Sequence, residues 1–311
     1  MSGASVLYDV PGPKAKARNR TYSVLGAVAV VGLFAFAFLR LDSKGQLDPQ
    51  VWQIFNYAGV RTSIRDGILT TLQVFAVAAV LSLALGLLLT VARLSDHKPI
   101  RWVATGFIEL FRAVPLLITI YALWVILLTS RDALGLTGSQ PQFWALVAGL
   151  TVYNGSVQAE VLRAGINSVP KGQREAAYAL GMSKTQVMTT VLIPQAIRAM
   201  LPTIISQLVV TLKDTSLGYI ITFEELLYTA RLMSTNILVN GNDTYIPVIT
   251  VIGSIYVAMC LALSALANWI ERRGRRARTG VAATPAAEPA AAADAAEPAG
   301  PAADAPAATK D

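Results

Sequence analysis

Charged residues are scarce in this chain. Of its 311 residues only 14% are Asp, Glu, Lys or Arg and 54% are hydrophobic, and the mean hydropathy is +0.52. Soluble domains carry roughly 25% charged residues, so the composition indicates a membrane protein. Cysteine and histidine occur once each, Cys260 in an apolar run and His97 in a short polar loop. This excludes a disulfide framework and a cysteine metal site, and we expect His97 to be a solvated loop residue.

The motifs of phosphate chemistry and of nucleophilic catalysis are missing too. No Gly-Lys pair occurs, so the chain has no P-loop to hold ATP, and no nucleophile–base pair stands out. The net charge of +7 would suit nucleic acid, but the basic residues cluster at the ends of apolar segments, where membrane topology accounts for them. We therefore expect neither an enzyme nor a nucleic-acid-binding protein, and no cofactor or metal in this chain.

Six apolar segments are long enough to cross a hydrocarbon core of about 30 Å. They cover residues 21–40, 67–92, 103–130, 143–163, 195–212 and 245–270. The first follows a basic arm, residues 1–20, and resembles a signal peptide. Its length and the lack of a small-residue cleavage site favour a retained signal anchor. Residues 41–66 are mixed and contain aromatic side chains, which suits an extracytoplasmic segment lying at the interface.

The distribution of Lys and Arg predicts the orientation of these segments. Seventeen lie in the N-terminal arm, the loops at residues 93–101 and 163–198 and the cluster at 272–278, whereas six lie in the opposite loops. The positive-inside rule therefore places both termini and the loop at about 165–194 in the cytoplasm. Residues 279–311 are rich in Ala and Pro and are predicted to be a disordered cytoplasmic tail.

The longest polar interruption of the apolar pattern covers residues 168–202. Glu175 is expected in the first turn of a short alanine-rich helix, and Gly181 is expected to close that helix in a left-handed conformation. Ser183 and Gln186 have the spacing of a capping box, so a second helix should start at once. Pro194 and Pro202 mark the positions where the chain bends or re-enters an apolar segment.

Glu175-Ala176-Ala177, with Gly181 six residues after Glu175, resembles the EAA loop of bacterial ABC importer permeases. The flanking sequences, Ala-Glu-Val-Leu-Arg-Ala-Gly at 159–165 and Leu-Lys-Asp-Thr-Ser-Leu at 212–217, are similar to the polar amino-acid branch, the histidine/glutamine-type permeases. The resemblance covers roughly residues 67–276, the expected permease domain. Residues 5–15 also resemble the start of actinobacterial glutamate-importer permeases.

The resemblance implies an all-α membrane protein with the type I ABC importer permease fold: a five-helix core and an N-terminal helix, six transmembrane helices in total. It implies a bacterial cytoplasmic-membrane subunit that pairs with a second permease, an ATPase dimer that binds ATP and Mg, and an extracellular substrate-binding protein. The implied cargo is a polar amino acid, glutamate first. The implied contacts with the ATPase are Glu175, Ala176, Ala177, Ala179, Leu180, Gly181 and Met182.

Polar groups inside the apolar segments are candidates for the substrate pathway, because such groups usually face protein or water. The candidates are Arg112, Tyr153, Asn154, Glu160, Lys213, Asp214, Thr215 and Ser216. Glu109 and Arg112 are three residues apart, as are Glu160 and Arg163, so each pair either neutralises itself on one helix face or contacts substrate. Both interpretations remain open from the sequence.

Two other functions compete with an ABC permease. An ion-coupled secondary transporter would need no ATPase and should carry carboxylates at broken helices near the membrane midplane. Glu109, Glu160 and Asp214 lie towards the ends of their segments, which counts against it. A non-transporting membrane scaffold or sensor would bind partners without solute flux.

Overall fold

The computed structural model describes residues 12–279, and the side chains of residues 12–267 and 269. Most of the glutamate-type motif at 5–15 and nearly all of the expected disordered tail at 279–311 therefore lie outside the described residues. The predicted basic arm is described only from Gly12 onward. Its basic residues Lys14, Lys16, Arg18 and Arg20 belong to the first turns of a helix that begins at Pro13.

The described chain is almost entirely helical, as predicted. Its helices are α1 Pro13–Ser43, α2 Pro49–Trp52, α3 Ala58–Arg93, α4 Lys98–Ala113, α5 Leu116–Thr129, α6 Gln140–Ser168, α7 Lys171–Ala179, α8 Lys184–Gln186, α9 Ile193–Asp214, α10 Leu226–Asn236 and α11 Tyr245–Thr279. Gln53–Asn56 and Thr215–Ile221 are 3-10 helices, and Val187–Leu192 is a π-helix. Two short antiparallel strands, β1 Leu238–Val239 and β2 Asn242–Asp243, form a small hairpin.

Helix α6 is the centre of the bundle and packs against α3, α4, α5 and α9. Its contact with α3 is made by glycines. A Cβ at Gly86 would lie 2.7 Å from the Gln158 Cβ and 3.1 Å from the Gly155 carbonyl oxygen. Small residues allow membrane helices to approach this closely, and the helices are then stabilised by dispersion contacts, since the hydrophobic effect does not act between helices in lipid. The packing of α3 on α6 therefore requires a residue without a side chain at position 86.

The segment predicted as one helix over residues 103–130 is two helices, α4 and α5, bent by 103°. The break falls at Val114, which is extended (φ −79°, ψ 129°) because it precedes Pro115. Proline disfavours the helical conformation of the preceding residue and has no N–H to donate. The prediction of one continuous helix over this segment was wrong for this local reason, whereas a single bent span stays a prediction.

Four described helices are long and apolar enough to cross a membrane: those within Pro13–Ser43, Ala58–Arg93, Lys184–Ile221 and Tyr245–Ala267. The bent pair of α4 and α5 is a fifth candidate if it forms one span. Helix α6 is 29 residues long, but polar side chains such as Asn154 and Gln158 lower its hydropathy, and it is not among them. The predicted helical membrane architecture is confirmed, whereas the count of six spans stays a prediction.

The segment predicted to lie at the interface, residues 41–66, is partly packed against the bundle, while Trp52 and Tyr57 stay exposed, and its place at the interface stays a prediction. Val51 and Ile54 are fully buried, and Ile54 belongs to a core cluster with Leu226 of α10 and Ile252 of α11. The Gln46 side chain donates to the Asp243 carbonyl at 2.9 Å and accepts from the Ile246 N–H at 3.3 Å. These contacts fix the end of α1 to the start of α11. Helix α1 itself buries no residue.

The close approach of α3 and α6 generates a stability prediction. Gly86→Ala should lower the free energy of unfolding by about 1–3 kcal/mol, because the new methyl group meets backbone that cannot move aside. The matched control is Gly253→Ala in α11, where a Cβ meets nothing within 4 Å and helix propensity improves. Heat unfolding of the purified protein in detergent measures both. Equal midpoints for the two variants would contradict the packing described here.

Candidate functional site

The polar stretch singled out in the sequence folds as α7, a glycine turn and α8, residues 171–186, which we call the coupling segment. Helix α7 begins at Lys171, directly after Pro170, whose carbonyl accepts from the Gln173 N–H at 3.1 Å. Glu175 therefore lies in the second turn, and its expected place in the first turn was wrong. Proline starts the helix earlier because it has no N–H to leave unsatisfied there.

The end of α7 confirms the role predicted for Gly181. This residue has φ +77°, its N–H donates to the Tyr178 carbonyl at 2.9 Å, and the Met182 N–H donates to the Ala177 carbonyl at 3.2 Å. Together these bonds form a Schellman motif, in which the left-handed residue lets two terminal carbonyls find donors. The turn that ends α7 is thus specified by one residue.

The predicted capping box is present at the start of α8. The Ser183 hydroxyl accepts from the Gln186 N–H at 3.4 Å, and the Gln186 carboxamide oxygen accepts from the Ser183 N–H at 2.8 Å. The chain then passes through the π-helix into α9, with Pro194 in its first turn and Pro202 in its interior. The sequence indicated a restart here but not a π-helix, which is often found at functional sites.

The coupling segment has one buried and one exposed face. Ala177 is 5% exposed and packs with Val187 and Ala196, and Met182 is partly buried on the same cluster. The other five predicted coupling residues, Glu175, Ala176, Ala179, Leu180 and Gly181, are exposed. Leu180 is 83% exposed, which is unusual for a leucine beside a well-packed cluster. The exposed face carries alanines together with two large side chains, Leu180 and Tyr178, which is 45% exposed. Exposed apolar groups of this kind suit contact with another protein.

Two of the charges predicted for the substrate pathway lie in one ion cluster that joins three helices. Glu160 of α6 pairs with Arg163 at 2.8 Å and with Arg93 at the end of α3. Arg93 also reaches Glu109 of α4 at 3.1 Å, and Glu109 lies 3.9 Å from Arg112. Both pairs with a spacing of three residues are therefore made, and Arg93 bridges them. A further role of Arg112 and Glu160 in contacting substrate stays a prediction.

The remaining pathway candidates are dispersed. Asn154 is buried in α6, and its carbonyl oxygen accepts from the Gln207 amide of α9 at 2.8 Å. Thr215 and Ser216 bond back to the Leu212 and Lys213 carbonyls at 2.6 and 2.8 Å, which ends α9 in a 3-10 turn. Tyr153 is half-buried in α6, and Lys213 is exposed beside Asp214. The structure thus brings Asn154 to α9 but does not gather the eight candidates around one space.

A polar cavity of about 630 Å³ lies at the opposite ends of α3 and α6 from the coupling segment. Asp66 on its wall is 27 residues before Arg93, about 40 Å along a helix. Its polar lining comes from several elements: Ser63, Asp66, Thr70, Gln73, Ser139, Gln140, Glu224 and Thr229, beside Phe143 and Trp144. The lining contains two carboxylates and neither Lys nor Arg. The sequence did not point to these residues because they are distant along the chain and sit at helix ends.

The comparisons with known proteins agree with this architecture. Residues 82–276 match the family described as binding-protein-dependent transport system inner membrane component. The glutamate transport system permease protein GluD of Corynebacterium glutamicum is 40% identical over 252 residues, which cover 80% of this chain and 89% of that protein. The glutamate/aspartate import permease protein GltK of Escherichia coli O157:H7 is 32% identical over 213 residues, 67% of this chain and 92% of that protein.

Two further matches broaden the range of cargo named in relatives. The arginine transport system permease protein ArtQ of Bacillus subtilis is 30% identical over 210 residues, 68% of this chain and 91% of that protein. A crystal structure described as an amino acid ABC transporter with histidines superposes with a TM-score of 0.59 at 32% identity, covering 68% of this chain and 94% of that chain.

The ion cluster generates a prediction that separates its two carboxylates. Glu160→Gln should lower the free energy of unfolding by about 1–2 kcal/mol, because it leaves Arg93 and Arg163 without a shared, mostly buried partner. Glu109→Gln is the matched control and should cost less than about 1 kcal/mol, since that side chain is largely exposed. Heat-unfolding midpoints in detergent measure the difference. A lower unfolding midpoint for Glu109→Gln than for Glu160→Gln would contradict this prediction.

Proposed function

The chain belongs to the family of binding-protein-dependent transport system inner membrane components, the permeases of ABC importers for amino acids, and from this premise we propose that it imports glutamate. Two relatives are named as permeases for glutamate or for glutamate and aspartate, and the motif at residues 5–15 has the same resemblance. Family membership disfavours an ion-coupled secondary transporter and a non-transporting scaffold. In the proposed complex a partner ATPase dimer binds and hydrolyses ATP.

The observation that carries the proposed mechanism is the exposed face of the coupling segment. A Schellman motif ends α7 and a capping box begins α8. These hydrogen bonds hold the turn between the two helices in one conformation. Ala176 and Ala179 leave room for a groove wall, and Leu180 offers an apolar anchor. In the proposed cycle the ATPase dimer closes on ATP and Mg, and its groove pulls the coupling segment with it.

The coupling segment passes this motion to the membrane helices that flank it in the chain. Helix α6 leads into it and α9 follows it, and these two helices pack closely at Gly165, where a Cβ would lie 3.0 Å from the Ala196 carbonyl oxygen. Closely packed helices transmit displacement instead of absorbing it. We propose that α6 and α9 tilt together against a second, similar permease and switch access from outside to inside.

The polar cavity is the proposed entry for the amino acid that an extracellular binding protein delivers. Glu224 on its wall suits the α-ammonium group, which a carboxylate stabilises by a charge-assisted hydrogen bond, whereas Asp66 already pairs with its neighbour Arg65 at 2.9 Å. The lining contains neither Lys nor Arg for the two carboxylates of glutamate, and Arg65 beside it is engaged by Asp66. We therefore propose that the sister permease supplies a cation, or that Arg112 and Lys213 do so deeper in the pathway.

The proposed topology has six spans, with both termini and the coupling segment in the cytoplasm of a bacterial cell. Its support is the excess of Lys and Arg in the segments assigned to that side. The coupling segment and the polar cavity lie at opposite ends of α3 and α6, as a conduit between an ATPase and an extracellular binding protein requires. The count of six includes α6 and the bent pair of α4 and α5.

Gly181→Asp tests the coupling proposal. The side chain would point into open space, since a Cβ at this position meets nothing within 4 Å, so its charge would enter the ATPase groove. We expect ATP-driven glutamate uptake by vesicles holding the whole complex to fall about tenfold or more, because an unpaired charge would be desolvated in the interface. The amount of permease in the membrane should not change.

Gly181→Asn is the matched control, because asparagine has the same shape, no charge and a tolerance for the left-handed conformation. It should retain most of the uptake and still co-purify with the ATPase. Full ATP-driven uptake by the aspartate variant would refute coupling through this turn. Uptake of another amino acid but not of glutamate would leave the coupling intact and correct only the cargo.

Glu224→Gln tests the cavity as the entry site, because Glu224 lines the cavity and has no ion-pair partner among the described residues. Removing one carboxylate weakens the charge-assisted bond to the ammonium group, so the half-saturating glutamate concentration should rise about tenfold while the maximal uptake rate changes little. Asp132→Asn is the control, since Asp132 is 93% exposed and pairs only with its neighbour Arg131 among the ion pairs of the described residues. An unchanged half-saturation in the Glu224 variant would remove the cavity from the pathway.

A further inference from the structure

The connection between α3 and α4, residues 94–97, lies against the coupling segment although 80 or so residues separate them in the chain. We call these four residues the α3–α4 corner. Leu94 is partly buried on the apolar cluster that contains Ala177 of α7 and Val187 of the π-helix. The cluster also contains Ile166 of α6 and Ala196 of α9, so the corner packs on the same apolar base as the inner face of the coupling segment, the face turned away from the proposed ATPase.

A second attachment is ionic and lies two residues further on. The Lys184 ammonium donates to the Asp96 carboxylate, and this hydrogen bond holds the pKa of Asp96 below its ordinary value. Lys184 is the first residue of α8 and directly follows the capping-box residue Ser183. The lysine thus projects from a backbone position that the cap already holds in place.

The two attachments together constrain more than either does alone. An exposed ion pair contributes little stability by itself, and a single apolar contact allows two segments to pivot about it. Leu94 and Asp96 engage different parts of the coupling segment, the cluster around Ala177 and the start of α8. A pivot about one contact breaks the other, so the corner keeps its orientation on the coupling segment.

The corner is also anchored to the membrane helices on its other side. Arg93, the residue before Leu94, ends α3 and pairs with Glu160 of α6 and with Glu109 of α4. A displacement of the corner therefore acts on α3 directly through the backbone, on α4 through the backbone and Glu109, and on α6 through Glu160. Three helices meet at one place on the cytoplasmic side of the proposed topology.

We propose that the α3–α4 corner and the coupling segment move as one body. Asp96 and Lys184 are then positioning residues that transmit the movement of the closing ATPase, the ATPase stroke, to α3 and α4. This route is additional to the covalent route through α6 and α9. It connects the coupling segment to α3 and α4, which are not its neighbours in the sequence. The inference rests on the proposed function, because it requires an ATPase that pulls on the coupling segment.

Reversible cross-linking of the complete complex tests the one-body claim. Cys260 is the only cysteine in the sequence, so Asp96→Cys and Lys184→Cys in a Cys260→Ala background provide one defined thiol pair for a short, cleavable bis-thiosulfonate linker. Without the linker, glutamate uptake per ATP hydrolysed should fall about two- to fivefold, the effect of losing one exposed ion pair. With the linker it should return towards the value of the parent. Single-cysteine variants treated with the same reagent are the controls.

The two results that overturn the proposal differ from these. Uptake that stops on cross-linking and returns on cleavage of the linker would mean that the corner and the coupling segment must separate during the cycle. Uptake per ATP that equals the parent value both with and without the linker would mean that their contact carries no stroke. The extent of cross-linking is measured by mass spectrometry on the same vesicles.

Charge exchange provides an independent test of the two positioning residues. Asp96→Lys and Lys184→Asp should each lower uptake per ATP about two- to fivefold, while the amount of co-purified ATPase stays constant, and the double exchange should recover most of the loss. Asp132→Lys, on the other side of the proposed topology, should leave the ratio unchanged. Single variants with the parent ratio, or a double exchange without recovery, would overturn the assignment.

These readouts separate the inference from the function on which it rests. A parent complex without ATP-driven uptake would refute the proposed function, and the inference with it. A parent complex with normal uptake whose variants fail the ratio tests would refute the inference alone. Loss of co-purified ATPase in the single variants would likewise overturn it, since the pair would then serve assembly instead of the stroke.

Discussion

The close packing of α6 on its neighbours is the constraint on which the rest of this structure depends. In a bilayer the lipid tails are as apolar as the side chains, so the hydrophobic effect does not drive helices together. Such helices associate where their surfaces fit closely. Gly86, Gly155 and Gly165 remove side chains where α6 meets α3 and α9. The beginning of α6 lines the polar cavity and its end leads into the coupling segment. One closely packed helix thus connects the two ends at which the proposed transport cycle takes place.

One group of charges in the described residues lies close to its partners. Glu109 and Glu160 pair with Arg93 and with their arginine neighbours where α3, α4 and α6 meet, where an unpaired charge would be costly. The same pairs tie the helix ends together at the α3–α4 corner. Neutralisation and mechanical connection therefore require the same contacts, and a carboxylate lost from this cluster affects both. The cavity is different, because Asp66 pairs with its exposed neighbour Arg65 while Glu224 has no ion-pair partner among the described residues and faces a space that a cationic group of a substrate can enter.

Local signals predicted local structure well. Gly181 was expected in a left-handed conformation and Ser183 in a capping box, and both are present, because each feature is decided by a few bonds within six residues. Two errors were also local: Glu175 is not in the first turn, since Pro170 starts α7 earlier, and the third apolar segment is broken at Val114 because Pro115 follows. At both positions the restriction that proline places on the backbone overrides the pattern of hydropathy and charge.

Low charge and apolar segments were enough to indicate a helical membrane protein, and the motif around Glu175 and Gly181 was enough to show the resemblance to ABC importer permeases, because composition and local motifs need no knowledge of distant contacts. Only the tertiary structure decided which polar residues meet. It joined Asp96 to Lys184 across 88 residues, made Arg93 the bridge between Glu160 and Glu109, and assembled the cavity from Asp66, Gln140 and Glu224. Periodicity can assign a side chain to a helix face, but the partner of that face depends on how the helices pack, and the packing depends on the whole bundle.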